Sequence, residues 1–226
     1  MATRGPRLVI LGKQGAGKGT QCVRLSRHYL IPHISSGDMF RAELKSGSEA
    51  GQRLNKFMRA GELIPDDVVI EVMVHRLGHD GTRFNGFILD GFPRTTTQAE
   101  ALFNYLDTHE LDMAIDLQVP TDVVLHRLAS RRVCMDCGQN YGLGKIPKHE
   151  GTCDRCGGEV IQREDDTEEA ISRRLNLYEQ ETEPLIAWYL SRDKLVTVDG
   201  LNDPDVVTKR LVRAIDRRLE RTQPYE

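Results

Sequence analysis

The feature that most constrains this chain is a glycine-rich stretch at residues 12–20, directly after the apolar run at residues 8–11. Four glycines and Lys18 fall within eight residues. A strand that breaks into such a turn and then starts a helix surrounds an anion with backbone N–H groups, and the helix N-terminus adds partial positive charge. An ordinary strand–turn–helix corner does not need these residues. The spacing fits a P-loop and predicts a nucleotide phosphate site, although Gly19 stands where Ser or Thr is expected.

Composition narrows the class of protein without identifying it. The 226 residues carry 31 Lys and Arg against 34 Asp and Glu, a net charge of −3. This balance favours neither nucleic acid nor membrane as a partner, so any anion site must be local. A membrane-spanning helix needs an apolar run of about 18 residues, and no run in this sequence approaches that length. The N-terminus does not resemble a secretion signal. We expect a cytoplasmic globular protein.

Five short apolar segments alternate with helical patterns, which predicts an α/β fold with a five-stranded parallel sheet flanked by helices. Two stretches read as insertions, one helical and one rich in cysteine. The predicted core comprises residues 1–34, 65–129 and 167–226, with insertions at 35–64 and 130–166. We also expect Pro65 to start a helix, Thr121 to cap another, and residues 217–226 to fray.

A second informative stretch is the apolar run at residues 86–89, which ends at Asp90. From this position P-loop proteins reach nucleotide-bound Mg²⁺, usually through water. The turn that follows carries Arg94 out of the carboxyl end of the sheet, where open α/β sheets bind ligands. Arg41 is predicted in the first turn of a helix, against the preference of the helix dipole, and is therefore a candidate for binding an external anion.

The cysteines predict a metal site. Cys134 and Cys137 form one C-x2-C pair, Cys153 and Cys156 form another, and 15 residues separate the pairs. Four thiolates at this spacing favour a structural Zn²⁺ that leaves no coordination position open for catalysis. Two disulfides or a redox pair are disfavoured in a reducing compartment. A zinc ribbon that binds nucleic acid would need a basic, aromatic surface, which this segment lacks.

Cationic side chains recur near the predicted ligand edge, and they favour phosphoryl transfer between two nucleotides. Such transfer needs two phosphate sites, cations over the moving group, Mg²⁺ and exclusion of water. A hydrolase would need a positioned water with a base or a glutamine, and no motif for either is present. The cations are Lys18, Arg41, Arg94, Arg127, Arg131, Arg163 and Arg174.

The sequence resembles the adenylate kinases of the long, zinc-lid type over essentially the whole chain. The resemblance implies the reaction ATP + AMP ⇌ 2 ADP with Mg²⁺, on a monomer with a core, an AMP-binding segment and a lid. The motifs that carry it are GKQGAGKGTQ (12–21), ISSGDMFR (34–41), GELIPDD (61–67), LDGFPRTTTQ (89–98), RRVC (131–134), NY (140–141), QREDD (162–166) and VDG (198–200).

The resemblance also implies residue roles. For ATP these are Gly15, Ala16, Gly17, Lys18, Gly19, Thr20, Arg127, Arg131, Asn140, Tyr141 and Asn202. For AMP they are Ser36, Arg41, Glu62, Leu63, Ile64, Gly91, Phe92, Pro93, Arg94, Gln98, Arg163 and Arg174. The implied catalytic set is Lys18, Arg94, Arg131, Arg163 and Arg174, with Asp90 holding Mg²⁺ through water.

Two positions depart from the family pattern, and two questions of specificity stay open. Gln14 stands where Pro is common, and Phe40 where Leu is common. A kinase for another monophosphate is the alternative function, although Ser36 and Gln98 both fit adenine, since a glutamine amide offers an acceptor and a donor to a base edge. GTP remains possible as the donor, because the family contacts the donor base mainly through the backbone.

Overall fold

A five-stranded sheet forms the centre of the fold, as the alternation of apolar segments predicts. The computed structural model describes residues 4–107, 110–142, 144–163 and 166–222. The sheet order is β2-β3-β1-β4-β8, and every neighbouring pair is parallel. Its strands are β1 (Arg7–Leu11), β2 (His33–Ser35), β3 (Phe87–Asp90), β4 (Met113–Gln118) and β8 (Leu195–Asp199).

Helices cover both faces of this sheet. The central strand β1 is buried along its whole length, as parallel strands between two helical layers are. Its residues alternate between two apolar clusters: Leu8 and Ile10 belong to one, Val9 and Leu11 to the other. The helices are α1 (Lys18–Tyr29), α2 (Ser36–Lys45), α3 (Glu49–Ala60), α4 (Asp66–Gly78), α5 (Thr82–Asn85), α6 (Thr96–Leu106), α7 (Thr121–Ser130), α8 (Glu168–Leu177), α9 (Pro184–Leu190) and α10 (Pro204–Thr222).

The cysteine-rich segment forms a second, smaller sheet. Strands β5 (Arg132–Cys134), β6 (Asn140–Tyr141) and β7 (Val160–Ile161) pair antiparallel in the order β6-β5-β7. Among the described residues of this segment, the buried apolar cluster consists of Cys134, Tyr141, Cys153 and Val160. Such a small core supplies little hydrophobic stabilisation, so this sheet needs a further constraint to hold its shape.

The structure differs from three expectations about where helices begin and end. Helix α4 begins at Asp66, and Pro65 is its cap residue rather than its first turn. Thr121 is the first residue of α7 instead of its cap, and its hydroxyl accepts a hydrogen bond from Lys13 Nζ at 2.6 Å. The expected fraying from residue 217 is wrong as far as Thr222, because α10 continues to that residue; residues 223–226 lie outside the described part.

The helical region before β8 is interrupted near Pro184. A π-helical segment, Tyr178–Thr182, separates α8 from α9. Proline has no N–H to donate, which explains why the regular hydrogen-bond ladder is broken here. No helix among the described residues is long and apolar enough to cross a membrane.

Candidate active site

The glycine-rich loop between β1 and α1 is built to receive an anion. Gly12, Gly15 and Gly17 all adopt positive φ angles, of 140°, 84° and 101°. Within the described part of the chain no side chain caps α1, and its first turn carries no acid. The first N–H groups of the helix are therefore open to an external acceptor, and the helix dipole favours a negative charge there.

Lys18 folds back over this loop. Its Nζ donates hydrogen bonds to the carbonyl oxygens of Gly12 (2.6 Å) and Lys13 (3.0 Å). Burial lowers the pKa of Lys18 to about 8, and the nearby charge of Asp90 opposes that shift. An ammonium has three N–H donors, so one remains for a phosphate oxygen.

Asp90 ends β3 directly beside the loop. Burial raises its pKa, but His33, Lys18 and Arg94 together outweigh burial, so the pKa of Asp90 lies below its usual range. The carboxylate is therefore ionised at neutral pH, as a partner for a hydrated divalent cation must be. A Cβ on Gly19 would lie 3.2 Å from Asp90 Oδ2, so a larger residue at this position would crowd the carboxylate.

On the side of the loop next to α7, Arg127 donates a hydrogen bond from Nη1 to the carbonyl of Ala16 at 3.1 Å. The loop after β8 is held by Arg210, whose Nη1 donates to the carbonyl oxygens of Asp199 (3.0 Å) and Leu201 (2.8 Å). Asn202 follows with φ of 108°. These hydrogen bonds hold the backbone at Ala16 and next to Asn202, two residues that were predicted to contact the donor nucleotide. Thr20, another predicted contact, is exposed in the first turn of α1.

The turn after β3 is packed against α2. Ser36 Oγ donates a hydrogen bond to the Gly91 carbonyl at 2.7 Å, and Arg94 Nε donates to the same oxygen at 2.9 Å. A Cβ on Gly91, where φ is 77°, would lie 2.9 Å from Ser36 Oγ. Arg41 lies in the second turn of α2 rather than the first, and its Nη2 pairs with Asp38 Oδ1 at 2.5 Å.

Gln98 is held in one orientation by its neighbours. Its Oε1 accepts from the Arg94 backbone N–H at 2.8 Å, and its Nε2 donates to Asp66 Oδ1 at 2.6 Å. Thr95 caps α6 through Gln98 N and also donates its hydroxyl to Asp66 Oδ2. A glutamine amide has two donors and two lone pairs, so one of each remains for a base edge.

The cysteine-rich sheet meets the glycine-rich loop at Asp166. Arg131 donates from Nε to Asp166 Oδ2 at 2.7 Å and from Nη2 to Oδ1. Gln14, in the loop, donates from Nε2 to Asp166 Oδ1 at 3.1 Å. The Asp166 side chain is fully buried, so these donors compensate a charge that would otherwise be costly.

Two further arginines of the predicted site make hydrogen bonds to other residues. Arg163 Nη2 donates to Asn140 Oδ1 at 3.2 Å, inside the cysteine-rich segment. Arg174, on α8, donates from Nη2 to the Met58 carbonyl of α3 at 3.1 Å. The remaining predicted contacts lie in the segment after α3 and in the turn after β3. Glu62 is exposed and Leu63 is half-buried, whereas Ile64, Phe92 and Pro93 are buried.

The four paired cysteines converge. Their sulfur atoms all lie within 4.8 Å of one another, with Cys134–Cys156 at 3.4 Å and Cys137–Cys153 at 3.6 Å. Four sulfurs about 2.3 Å from a tetrahedral zinc stand about 3.8 Å apart, whereas a disulfide bond is about 2.05 Å long. The Tyr141 hydroxyl donates to Cys153 Sγ at 3.4 Å and lowers the pKa of this thiol to about 6. The set fits a structural zinc.

Comparison with known proteins identifies the family. A family model described as adenylate kinase matches residues 10–194. The adenylate kinase of Alkaliphilus oremlandii is 47% identical over 216 residues, which cover 94% of this chain and 100% of that protein. The chain belongs to the adenylate kinase family. The adenylate kinase of Acetivibrio thermocellus is 45% identical over 212 residues, 92% of this chain and 97% of the relative.

Membership of this family bears on both predicted metal ions, Mg²⁺ and zinc. Adenylate kinases use Mg²⁺ with ATP, and Asp90 is the ionised carboxylate beside the loop that fits this ion. The tetra-cysteine cluster fits the structural zinc expected for an adenylate kinase with a zinc-binding lid.

Sequence reasoning missed three residues that shape this adenylate kinase site: Asp66, Asp166 and His33. Asp66 orients Gln98, Asp166 holds Arg131, and His33 Nε2 lies 3.4 Å from Asp90 Oδ2. Asp66 and Asp166 both lie inside the quoted motifs, at 61–67 and 162–166. A buried carboxylate needs a nearby donor, so for Asp166 the available signal was an acid close to an arginine, Arg163, in the sequence.

Proposed function

We propose that this chain catalyses the reversible, Mg²⁺-dependent transfer of a phosphoryl group from ATP to AMP, giving two ADP, and so serves adenine nucleotide homeostasis and salvage. The observation that carries the proposal is the electrostatic environment of Lys18. Besides burial, two positive charges lower the pKa of Lys18 in the donor loop. They belong to Arg94, on the turn after β3, and to Arg131, at the base of the cysteine-rich sheet. Cations from three parts of the fold therefore converge where one phosphoryl group would move.

The donor side uses the backbone of residues 15–20 and Lys18. Open N–H groups at the start of α1 bind the β- and γ-phosphates of ATP, and Lys18 follows the transferring group with its remaining N–H. Arg127, which donates to the loop carbonyl of Ala16, is the proposed partner of the adenine ring. Asn202 and the Asn140–Tyr141 strand complete the proposed ATP contacts.

The acceptor side uses the turn after β3 together with α2 and α6. Arg41 exchanges its contact with exposed Asp38 for the AMP phosphate, and Arg94 binds the same phosphate from the turn. Gln98 reads the adenine edge with the donor and lone pair that its neighbours leave unused. Residues 62–64 and 91–93 form the backbone walls, and Ser36 fixes the turn.

The catalytic step needs neutralisation of charge more than a base. Asp90 would hold Mg²⁺ through water, and the ion would supply Lewis-acid neutralisation of the phosphate oxygens. Five cationic side chains stabilise the charge on the transferring group and exclude water from it. They are Lys18, Arg94, Arg131, Arg163 and Arg174. Arg131 and Arg163 come from the cysteine-rich segment, so its closure would assemble the site.

A panel of acceptors and donors tests this proposal. AMP, UMP, CMP and GMP are offered with ATP or GTP as donor, and kcat/KM is measured for each pair. AMP with ATP should lead. Preference for UMP or GMP would remove the adenine assignment of Gln98, whereas near-normal turnover by Lys18→Ala would remove the assignment of the loop.

We also propose a cytoplasmic monomer. Four thiols held at metal-ligand distance, rather than as disulfides, favour a reducing compartment. Light scattering on the purified protein should give the mass of one chain, 25.6 kDa. A dimer mass at working concentration would contradict the monomer.

A further inference from the structure

A second group of metal-type ligands lies behind the candidate active site, on three separate elements. Cys22 is on α1, His33 on β2 and Asp90 at the end of β3. One ligand atom from each, the thiol sulfur, a ring nitrogen and a carboxylate oxygen, lies within 4.8 Å of the other two. None of these elements belongs to the cysteine-rich segment.

The ring nitrogen of His33 faces Asp90 without making a well-formed hydrogen bond to it. Nε2 is buried and has no hydrogen-bond partner among the described residues, although it lies 3.4 Å from Asp90 Oδ2. A buried polar atom without a hydrogen bond is destabilising, so native structures rarely retain one without a reason. A cation between the imidazole and the carboxylate would satisfy both.

We propose that Cys22, His33 and Asp90 bind a soft divalent cation, Zn²⁺ or Co²⁺, distinct from the tetra-cysteine zinc. Sulfur, imidazole and carboxylate together suit these ions and do not suit Mg²⁺, which prefers oxygen ligands. Ligands about 2.0–2.3 Å from a tetrahedral metal stand about 3.3–3.8 Å apart. The three atoms lie within 4.8 Å of one another, so a contraction of at most about 1–1.5 Å brings them to this spacing.

Metal binding at this site releases one proton, from Cys22. The Cys22 thiol releases its proton to solvent as its sulfur binds the metal, His33 binds as neutral imidazole, and Asp90 is already a carboxylate. The fourth position stays open to water, because the described residues place three protein ligands within reach. With one ligand fewer than the tetra-cysteine cluster, this site binds more weakly and is lost on dialysis that leaves the other zinc in place.

Occupation of this site would inhibit the enzyme, a consequence that rests on the proposed function. Asp90 cannot ligate a soft cation and orient hydrated Mg²⁺ at the same time. The metal would also add positive charge next to Lys18, whose pKa already depends on Asp90. Zn²⁺ should therefore slow phosphoryl transfer, and a chelator should restore it.

Cobalt titration tests the binding directly. Protein that keeps its tightly bound zinc is dialysed and titrated with Co²⁺ while near-ultraviolet absorption is recorded. We expect one added equivalent with a thiolate-to-cobalt charge-transfer band, loss of the band in Cys22→Ala, and affinity reduced at least about tenfold in His33→Gln. His75→Gln, which changes an exposed histidine next to His79 on the surface, is the matched control and should keep the band.

The outcomes separate the two proposals. No added equivalent, or a band that persists in Cys22→Ala, overturns the metal site. Activity is compared in each variant as the ratio of rates with and without Zn²⁺, so differences in basal rate do not matter. An inactive wild type without added Zn²⁺ counts against the proposed function, while an active wild type insensitive to Zn²⁺ counts against the inhibitory site alone.

Discussion

Gln14 Nε2 donates a hydrogen bond to Asp166 Oδ1 across 3.1 Å, and so joins the glycine-rich loop to the base of the cysteine-rich sheet. The same carboxylate holds Arg131 through two hydrogen bonds. Gln14 is the residue at which this chain departs from the proline common in its family. In this chain the loop is therefore tied by a side chain, where proline would stiffen the backbone.

Replacing Gln14 with Ala should lower stability by about 1.5 kcal/mol, because a hydrogen bond to a buried charged group is lost. For a chain of this size the melting temperature should fall by about 3–6 °C. Thermal unfolding followed by circular dichroism measures this change. Gln52→Ala is the control, since the exposed Gln52 side chain makes a long, 3.5 Å contact with the Gly47 carbonyl. Equal melting temperatures for the two variants would contradict a stabilising role for the Gln14 contact.

The central architecture was readable from sequence because its signals are local. The glycine spacing at residues 12–19 and the apolar run of β1 fix the loop, and the alternation of strands and helices fixes the parallel sheet. The C-x2-C pairs likewise predict the convergence of four sulfurs that the structure shows. Each of these patterns depends on residues close together in the chain.

What the sequence could not supply are partners far apart in the chain. Thr121 looks like a helix cap, yet its hydroxyl accepts from Lys13, 108 residues away. Asp66 meets Gln98, and Asp166 meets Gln14, only because the sheet brings their elements together. Periodicity indicates which face of a helix is buried but not which side chain lies opposite. The roles of the individual site residues therefore stay predictions.

Gly19→Ala should separate activity from stability. Alanine is favoured over glycine in a helix by about 1 kcal/mol, so the melting temperature should hold or rise. The new Cβ would lie 3.2 Å from Asp90 Oδ2 and displace the carboxylate, so kcat should fall at least about tenfold. Gly78→Ala is the matched control, because the new methyl group there meets the Tyr105 hydroxyl at 3.3 Å, away from Asp90. Unchanged kcat in Gly19→Ala would show that Asp90 needs no such space.

Zinc removal should unfold the cysteine-rich sheet before the rest of the protein. Its buried cluster of Cys134, Tyr141, Cys153 and Val160 is too small to hold three short strands alone. Metal analysis after dialysis should find about one zinc per chain, and a strong chelator should make residues 130–163 sensitive to protease. Cys156→Ser should reproduce this sensitivity, and Cys22→Ala should not. A chelated protein with an intact, protease-resistant segment would contradict the structural role of zinc.

The pH dependence of ATP capture should report Lys18. Burial holds its pKa near 8, so the free enzyme loses this positive charge as the pH rises through that value. The pKa of Asp90 lies below its usual range, so this carboxylate stays charged there and contributes nothing to the change. Because kcat/KM reports ionisations of the free enzyme, kcat/KM for MgATP should fall above a pH of about 8.

Lys18→Arg provides the control for this profile, since a guanidinium remains charged at alkaline pH. The variant should be slower because of its different geometry, but its kcat/KM should not decline over the alkaline range. A wild-type profile that stays flat would show that Lys18 keeps its charge in the free enzyme. A decline that survives in Lys18→Arg would assign the ionisation to another group.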